Sequence, residues 1–247
     1  MAGLKWDYHT HTIYSKHHHG KGTVEENVRA AEEKGLKEVA ISDHGPSHLM
    51  YGLETDRLSR LEEEIRRARQ AHPGIRVFLS VEANIINRDG SLDIPPQLWD
   101  RFDFVMAGYH YGAFSQSPGH DLWVHARNLF FHTFRTTTKG MRIENTELVL
   151  RALYKNDIKI LTHPGDKAEI DLVEVARACR ERGTWMEINN SHPFLSARGI
   201  ALAAREDVRF VIGSDAHQPH RVGNYANALA RIQASGIDPG LVVNLIG

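Results

Sequence analysis

Short apolar runs alternate with amphipathic stretches along most of this chain. Lys5 to Tyr8, Glu38 to Ser42, Val77 to Val81, Phe104 to Ala107, Lys159 to Thr162, Trp185 to Ile188 and Phe210 to Ile212 are short and rich in Val, Ile, Leu and Phe, as buried strands are. Between the first two runs, Thr23 can cap a helix with Glu26 three residues on, Val24, Val28 and Ala31 share a face, and Gly35 supplies a stop. Arg57 to Ala71 reads as a second helix with Leu58, Leu61 and Ile65 as its stripe; Leu172, Val175, Ala176 and Cys179 mark another that ends at Gly183. This alternation implies a parallel sheet with helices packed outside it. Seven strand-like runs rather than eight predict an α/β fold, a (β/α)7 barrel that closes imperfectly.

One stretch breaks the rhythm. From Gly112 to Arg142 neither period holds, and the segment is long for a connection in a compact barrel. The expectation is one domain over residues 1–247, with 112–142 as a lid-like insertion or a partner-facing excursion. Its histidines, His120, His125 and His132, are weaker candidates for substrate contacts. Lys plus Arg is 30 against 31 for Asp plus Glu, a net charge of −1, so composition forces no basic face and gives no support for non-specific nucleic-acid binding. The absence of an apolar run long enough for a signal peptide or a membrane span leads us to expect a cytoplasmic protein with no membrane partner. The only cysteine, Cys179, has no internal disulfide partner and falls on a helix stripe, where a buried thiol is expected. Oligomeric state is not legible in apolar stripes that the core already explains.

The chemistry gathers where the apolar runs end. There the chain carries D-Y-H-T-H-T, S-D-H-G, G-Y-H-Y, T-H-P-G and G-S-D-A-H. His9 and His11 lie two apart on a strand and so point to one face; Asp215 and His217 repeat the spacing, after a Gly-Ser that leaves room. Glu82 follows Val77-Phe-Leu-Ser-Val and has two oxygens with which to bridge cations. His17, His44, His110 and His163 add imidazoles from other strand ends or nearby loops. A lone H-x-H is weak evidence, but independent clusters of imidazole and carboxylate at one barrel end point to a site for several zinc, iron or manganese ions.

In this order the motifs, with V-E-A-N at Glu82, resemble the PHP (polymerase and histidinol phosphatase) superfamily, and most of all its stand-alone bacterial phosphatases. The resemblance implies a distorted (β/α)7 barrel with a trinuclear site. It places metal ligands at His9, His11, His17, His44, Glu82, His110, His163, Asp215 and His217: His9, His11, Glu82 and Asp215 on one ion, Glu82, His110 and His163 on a second, and His17, His44 and His217 on a third. Two departures touch substrate choice: the long 112–142 segment, and His18 and His19, which extend the His17 loop.

Three divalent cations outweigh the two liganding carboxylates, so such a site suits a phosphate dianion, and a bridging hydroxide is the expected nucleophile in place of any side chain. The expected activity is hydrolysis of small phosphomonoesters. Asp7 and Asp43 are candidates to orient liganding imidazoles through their second nitrogens. Asn189, Asn190 and Arg198 are candidates to contact substrate, the arginine by a bidentate grip on phosphate, with Lys16, Lys21 and Arg221 as weaker versions of the same idea. Two other readings compete. One is a phosphodiesterase or 3′-5′ exonuclease acting on nucleotides or nucleic-acid ends, as in PHP domains attached to family-X DNA polymerases; scattered Lys16, Lys21, Trp123 and Arg127 do not define its groove. The other is a non-catalytic interaction module, against which the intact ligand set argues.

Overall fold

The seven expected strands all form and pair in chain order. In the computed structural model, which describes residues 3–115, 118–134 and 136–246 without the side chains of 118–121 and 123, they are β2 (Trp6–Asp7), β3 (Glu38–Ile41), β4 (Arg76–Asn84), β5 (Phe104–Gly108), β6 (Ile160–Leu161), β7 (Trp185–Asn189) and β8 (Phe210–Gly213). They make one seven-stranded parallel sheet in the order β2-β3-β4-β5-β6-β7-β8. A separate antiparallel pair, β1 (Gly3–Leu4) with β9 (Leu245–Ile246), ties the chain ends together.

Outside the sheet lie α1 (Val24–Glu33), α2 (Leu58–Ala71), α4 (Lys139–Lys155), α5 (Leu172–Arg182), α6 (Ala197–Ala204) and α7 (Ala226–Ser235). The capping box read at Thr23 and Glu26 is formed in full, and Gly183 ends α5 with φ +69, a conformation that costs a glycine nothing. Cys179 is fully buried on α5, and burial pushes its thiol up in pKa, away from thiolate chemistry.

Much of the 112–142 segment is regular. Pro118–Phe134 forms a helix, α3, and Lys139 begins α4 under a Thr138 cap. Its period was hidden because apolar residues surround it: Leu122, Leu129, Phe130 and Phe134 are exposed while Phe131 is buried. The β4–β5 connection, in contrast, carries only a 3-10 turn, Pro96–Arg101.

The barrel closes differently at its two ends. At the C-terminal end, Thr10 and Ala216 form a parallel bridge, with the His11 amide donating to the Ala216 carbonyl at 2.8 Å and the Ala216 amide to the His9 carbonyl at 3.1 Å. At the other end the buried Asn244 lies between β2 and β8: its Nδ2 donates to the carbonyls of Trp6 (2.9 Å) and Ile212 (2.8 Å), and its Oδ1 accepts from the Ile212 amide (2.9 Å). Inward-facing rings fill that end, Tyr8 lying 5.0 Å from Phe104 and 5.6 Å from Phe78 between centroids. Strand parity turns Glu82 and Glu187 to the barrel interior near the C-terminal mouth, and Asp215 follows two residues after β8 ends.

Candidate metal centre

Glu82 stands at the centre of that mouth, wholly buried inside β4. Its Oε2 lies 3.0 Å from His44 Nδ1, 3.3 Å from His9 Nε2 and 3.7 Å from His11 Nε2. Its Oε1 faces a second set, His163 Nε2 at 2.8 Å and His110 Nε2 at 3.3 Å. Asp215 Oδ1 lies 3.4 Å from both His11 Nε2 and His217 Nδ1. Among the described residues, donor atoms fall into three overlapping groups, each within 4.8 Å of one another: His9/His11/Asp215, His44/Glu82/His110 and His11/His44/His217.

Several of these atoms have no hydrogen-bond partner. His9 Nε2, both ring nitrogens of His11, His44 Nδ1, Glu82 Oε2 and His217 Nε2 are buried and unpaired. Desolvating polar atoms without compensation is costly, so convergence of so many on one small volume fits cation ligation better than packing. Burial alone would raise the Glu82 carboxyl, but His9, His110 and His44 hold it well below the ordinary carboxylate range. Asp215 behaves likewise, with burial outweighed by His9, His11 and His192.

Local backbone serves the same end. His163 and Asp215 have φ of +28 and +54, values sparsely populated by residues with a Cβ and held only where surroundings over-determine them. The surroundings here include Glu187, a residue that the strand-end reading missed. Its Oε1 lies 2.6 Å from His9 Nδ1, and its Oε2 accepts from the His163 amide at 2.8 Å and from Asn189 Nδ2 at 3.0 Å. Gly213 makes this possible, since a Cβ there would lie 1.9 Å from Glu187 Oε1. The signal was available: a glutamate in an apolar strand, W-M-E-I-N, must be paired if buried.

Other expectations meet a different arrangement. Asp7 accepts from the backbone amides of His9, Ser214 and Gly223, fastening β2 to β8 rather than orienting a ring. Asp43 accepts from the Thr12 amide and hydroxyl and from Ser15, pinning the loop toward His17. Asn189 donates to Asp215 Oδ2 at 3.1 Å, so it steadies a cluster carboxylate; Asn190 accepts from the amides of Asn227 and Ala228 at the start of α7. Arg198 is exposed in the first turn of α6, outside the cavity lining, and Lys21 and Arg221 are also exposed. His17 is exposed on its loop and belongs to none of the three donor groups. His125 is buried between the Tyr109 hydroxyl (2.8 Å) and the Ala113 carbonyl (2.7 Å), and His132 lies 3.1 Å from the Asp166 carbonyl, while the side chains of His120 and Trp123 lie outside the described residues.

Above the cluster opens a cavity of about 600 Å³. Met50, Tyr51 and Tyr111 line it, as do Lys167 and His192. Lys167 Nζ lies 2.6 Å from Asp166, and His192 spans Asp166 (3.0 Å) and Asp215 (3.2 Å) with its two nitrogens.

Fold and cluster together define a (β/α)7-barrel protein with a candidate multi-metal centre at the C-terminal mouth. The PHP domain signature matches residues 7–191, and the chain belongs to that family. It is 33% identical to a probable phosphatase of Thermoanaerobacter sp. (strain X514), across 98% of this chain and 90% of the relative. Among solved structures it superposes on a putative histidinol phosphatase from Listeria monocytogenes with TM-score 0.69 at 17% identity, covering 90% of this chain and 99% of that one. The histidinol phosphate phosphatase of Lactococcus lactis subsp. lactis Il1403, solved with zinc, L-histidinol and phosphate, gives TM-score 0.62 at 16% identity over 95% of each chain.

Proposed function

We propose that the cluster holds three divalent cations and that the protein is a metal-dependent phosphatase of small phosphomonoesters. The observation that carries this reading is the set of buried, unpaired imidazole and carboxylate atoms around Glu82. Relatives named probable phosphatases, and the Lactococcus enzyme's zinc and phosphate, support it from outside. His9, His11 and Asp215 would hold one ion, His110 and His163 a second, and His44 and His217 a third, with Glu82 between the first two. Divalent cations supply Lewis acidity: they lower the pKa of water toward about 7 and neutralise charge on a phosphate. Zinc, manganese and iron all suit this donor set.

The chain's own residues do the rest. Glu187 fixes the His9 ring so that Nε2 faces the cluster, and Asn189 keeps one Asp215 oxygen engaged while the other faces His11. In this reading Lys167 takes the part that the sequence suggests for Arg198: it is the ammonium at the cavity wall, able to meet a phosphate oxygen as a point charge. The cavity's volume leaves space for an alcohol portion beside the phosphate.

The test is a screen of purified protein, with zinc or manganese, against phosphomonoesters, bis-phosphorylated nucleotides and short oligonucleotides, alongside elemental analysis. Phosphate release from the monoesters alone, lost on Glu82→Ala, is the expected result. Cleavage of oligonucleotides alone would transfer the protein to the exonuclease reading. Turnover unchanged in Glu82→Ala would remove the cluster from the chemistry.

A further inference from the structure

The loop after β2 carries three consecutive histidines, His17, His18 and His19, and family resemblance points to His17 as a ligand of the outermost ion. The fold presents a different ring. His17 has φ +55, is exposed on the loop and does not line the cavity over the cluster. His19 turns inward: its ring centroid lies 4.3 Å from that of His217, edge to face, and 5.6 Å from that of His44. His11 stacks on both of those rings, at 4.5 and 4.4 Å, so His19 sits beside the group His11/His44/His217.

Two independent constraints hold it there. On the chain side, Gly20 packs against the H-x-H backbone so closely that a Cβ would come within 2.4 Å of the Thr12 carbonyl oxygen, and the Lys21 amide donates to the His217 carbonyl at 2.8 Å. The residue after His19 therefore has almost no freedom to move. On the ring side, His19 stacks on Tyr51 at 3.7 Å and 14° between planes, and Tyr51 stacks on His48 at 4.6 Å and 18°. His48 is buried and its Nδ1 accepts from the amides of Met50 (3.3 Å) and Tyr51 (3.0 Å), so the column of three rings stands on a fixed base. A surface histidine gains nothing from such a mount, whereas a ligand gains pre-organisation, because less rotamer freedom is lost on binding.

We propose that His19, rather than His17, is the loop imidazole that completes the outermost cation position with His44 and His217, and that Tyr51 is its positioning residue. This rests on the reading of the cluster as a metal centre. The experiment uses zinc alone, with metal content after dialysis and zinc affinity by calorimetry, for the wild type, His17→Ala, His19→Ala, Tyr51→Ala and Glu82→Ala. Circular dichroism in chelator checks that each variant folds.

Expected are wild-type content in His17→Ala, and in His19→Ala a loss of about one equivalent or a 10- to 100-fold weaker outermost site. Tyr51→Ala should weaken the same site several-fold and regain full content at high zinc, since its ligand is displaced rather than removed. Loss of an equivalent in His17→Ala, alone or together with His19→Ala, overturns the proposal. So does unchanged content in both while Glu82→Ala loses zinc, an outcome that leaves the metal-centre reading standing. A wild type that binds no zinc at saturation would overturn the centre itself.

Discussion

The two mouths of this barrel set the same seven strands to opposite uses. At the N-terminal mouth both ends of the Asn244 side-chain amide find protein partners, and Trp6, Tyr8, Phe104 and Trp185 pack ring on ring, with centroids 5.0 to 6.4 Å apart. At the C-terminal mouth, buried nitrogens and oxygens of His9, His11, His44, Glu82 and His217 have none, and two residues adopt positive φ. One end is tied together by a side-chain amide whose bonds are all made within the chain; the other leaves a group of donor atoms aimed at a common centre. The contrast separates what stabilises this fold from what it does, because natural chains tolerate local cost mainly where function returns something for it.

The hardest blow to this contrast falls at Glu82. Glu82→Gln keeps the shape but gives up the charge and half of the acceptor capacity at the point where both imidazole sets meet. Phosphatase kcat/KM should fall by about 10³ or more, roughly 4 kcal/mol of transition-state stabilisation. Adding zinc at about 100 times its dissociation constant should stabilise the wild type by about 2.7 kcal/mol in thermal unfolding and the variant far less. A variant that retains the full zinc-dependent rise would mean that the open mouth does not need its central carboxylate.

Asn244→Ala attacks the closed mouth. Removal of its amide strands the Ile212 amide and leaves the Trp6 and Ile212 carbonyls short of a donor, at a cost of about 3 kcal/mol. In a chain of this length the melting temperature should drop by roughly 10 °C, while kcat/KM measured well below the transition stays within about twofold. Equal losses of stability and turnover would show that the two ends are coupled. Glu187→Gln should have a smaller effect with the reverse signature: it loosens His9 and the His163 amide, weakening metal affinity and kcat by about 10- to 100-fold. Excess zinc should recover much of that activity, which no excess metal could do for Asn244→Ala.

The same contrast explains what the bare sequence yields. Parallel strands are covered on both faces, so they read as continuous apolar runs, and all seven emerge from composition within a residue or two, apart from the longer β4. Cluster residues are legible for a related reason: imidazole and carboxylate directly after such runs are costly unless something uses them. Glu187 and Asn189 escape this filter in different ways. Glu187 is a single charge within a strand, and Asn189 reads as a rim residue although its amide serves Asp215. Helix α3 stays hidden because apolar residues run all around it, and the choice between His17 and His19 depends on Gly20 and Tyr51, contacts made across loops. Periodicity reports on burial; it says nothing of which ring on a loop turns inward.

The mildest test sharpens the contrast with a histidine far from either mouth. His72, at the end of α2, places Nδ1 2.6 Å from Glu32 and Nε2 3.0 Å from Glu25 on α1. Its hydrogen bond to Glu32, foremost, raises its pKa above 6.5, helped by Glu25 and opposed by slight burial. A raised folded pKa means that the folded state binds the proton more tightly, so its stabilisation is complete below pH 6.5 and fades as pH climbs through the folded value. The carboxylates are largely exposed, so screening limits the pair to about 0.5 kcal/mol. His72→Ala should therefore destabilise the metal-free protein by that amount in urea unfolding at pH 6, and by much less at pH 9. A deficit that grows with pH would mean that His72 acts as a neutral packing group, and that a protein partner alone does not distinguish this histidine from those of the metal mouth.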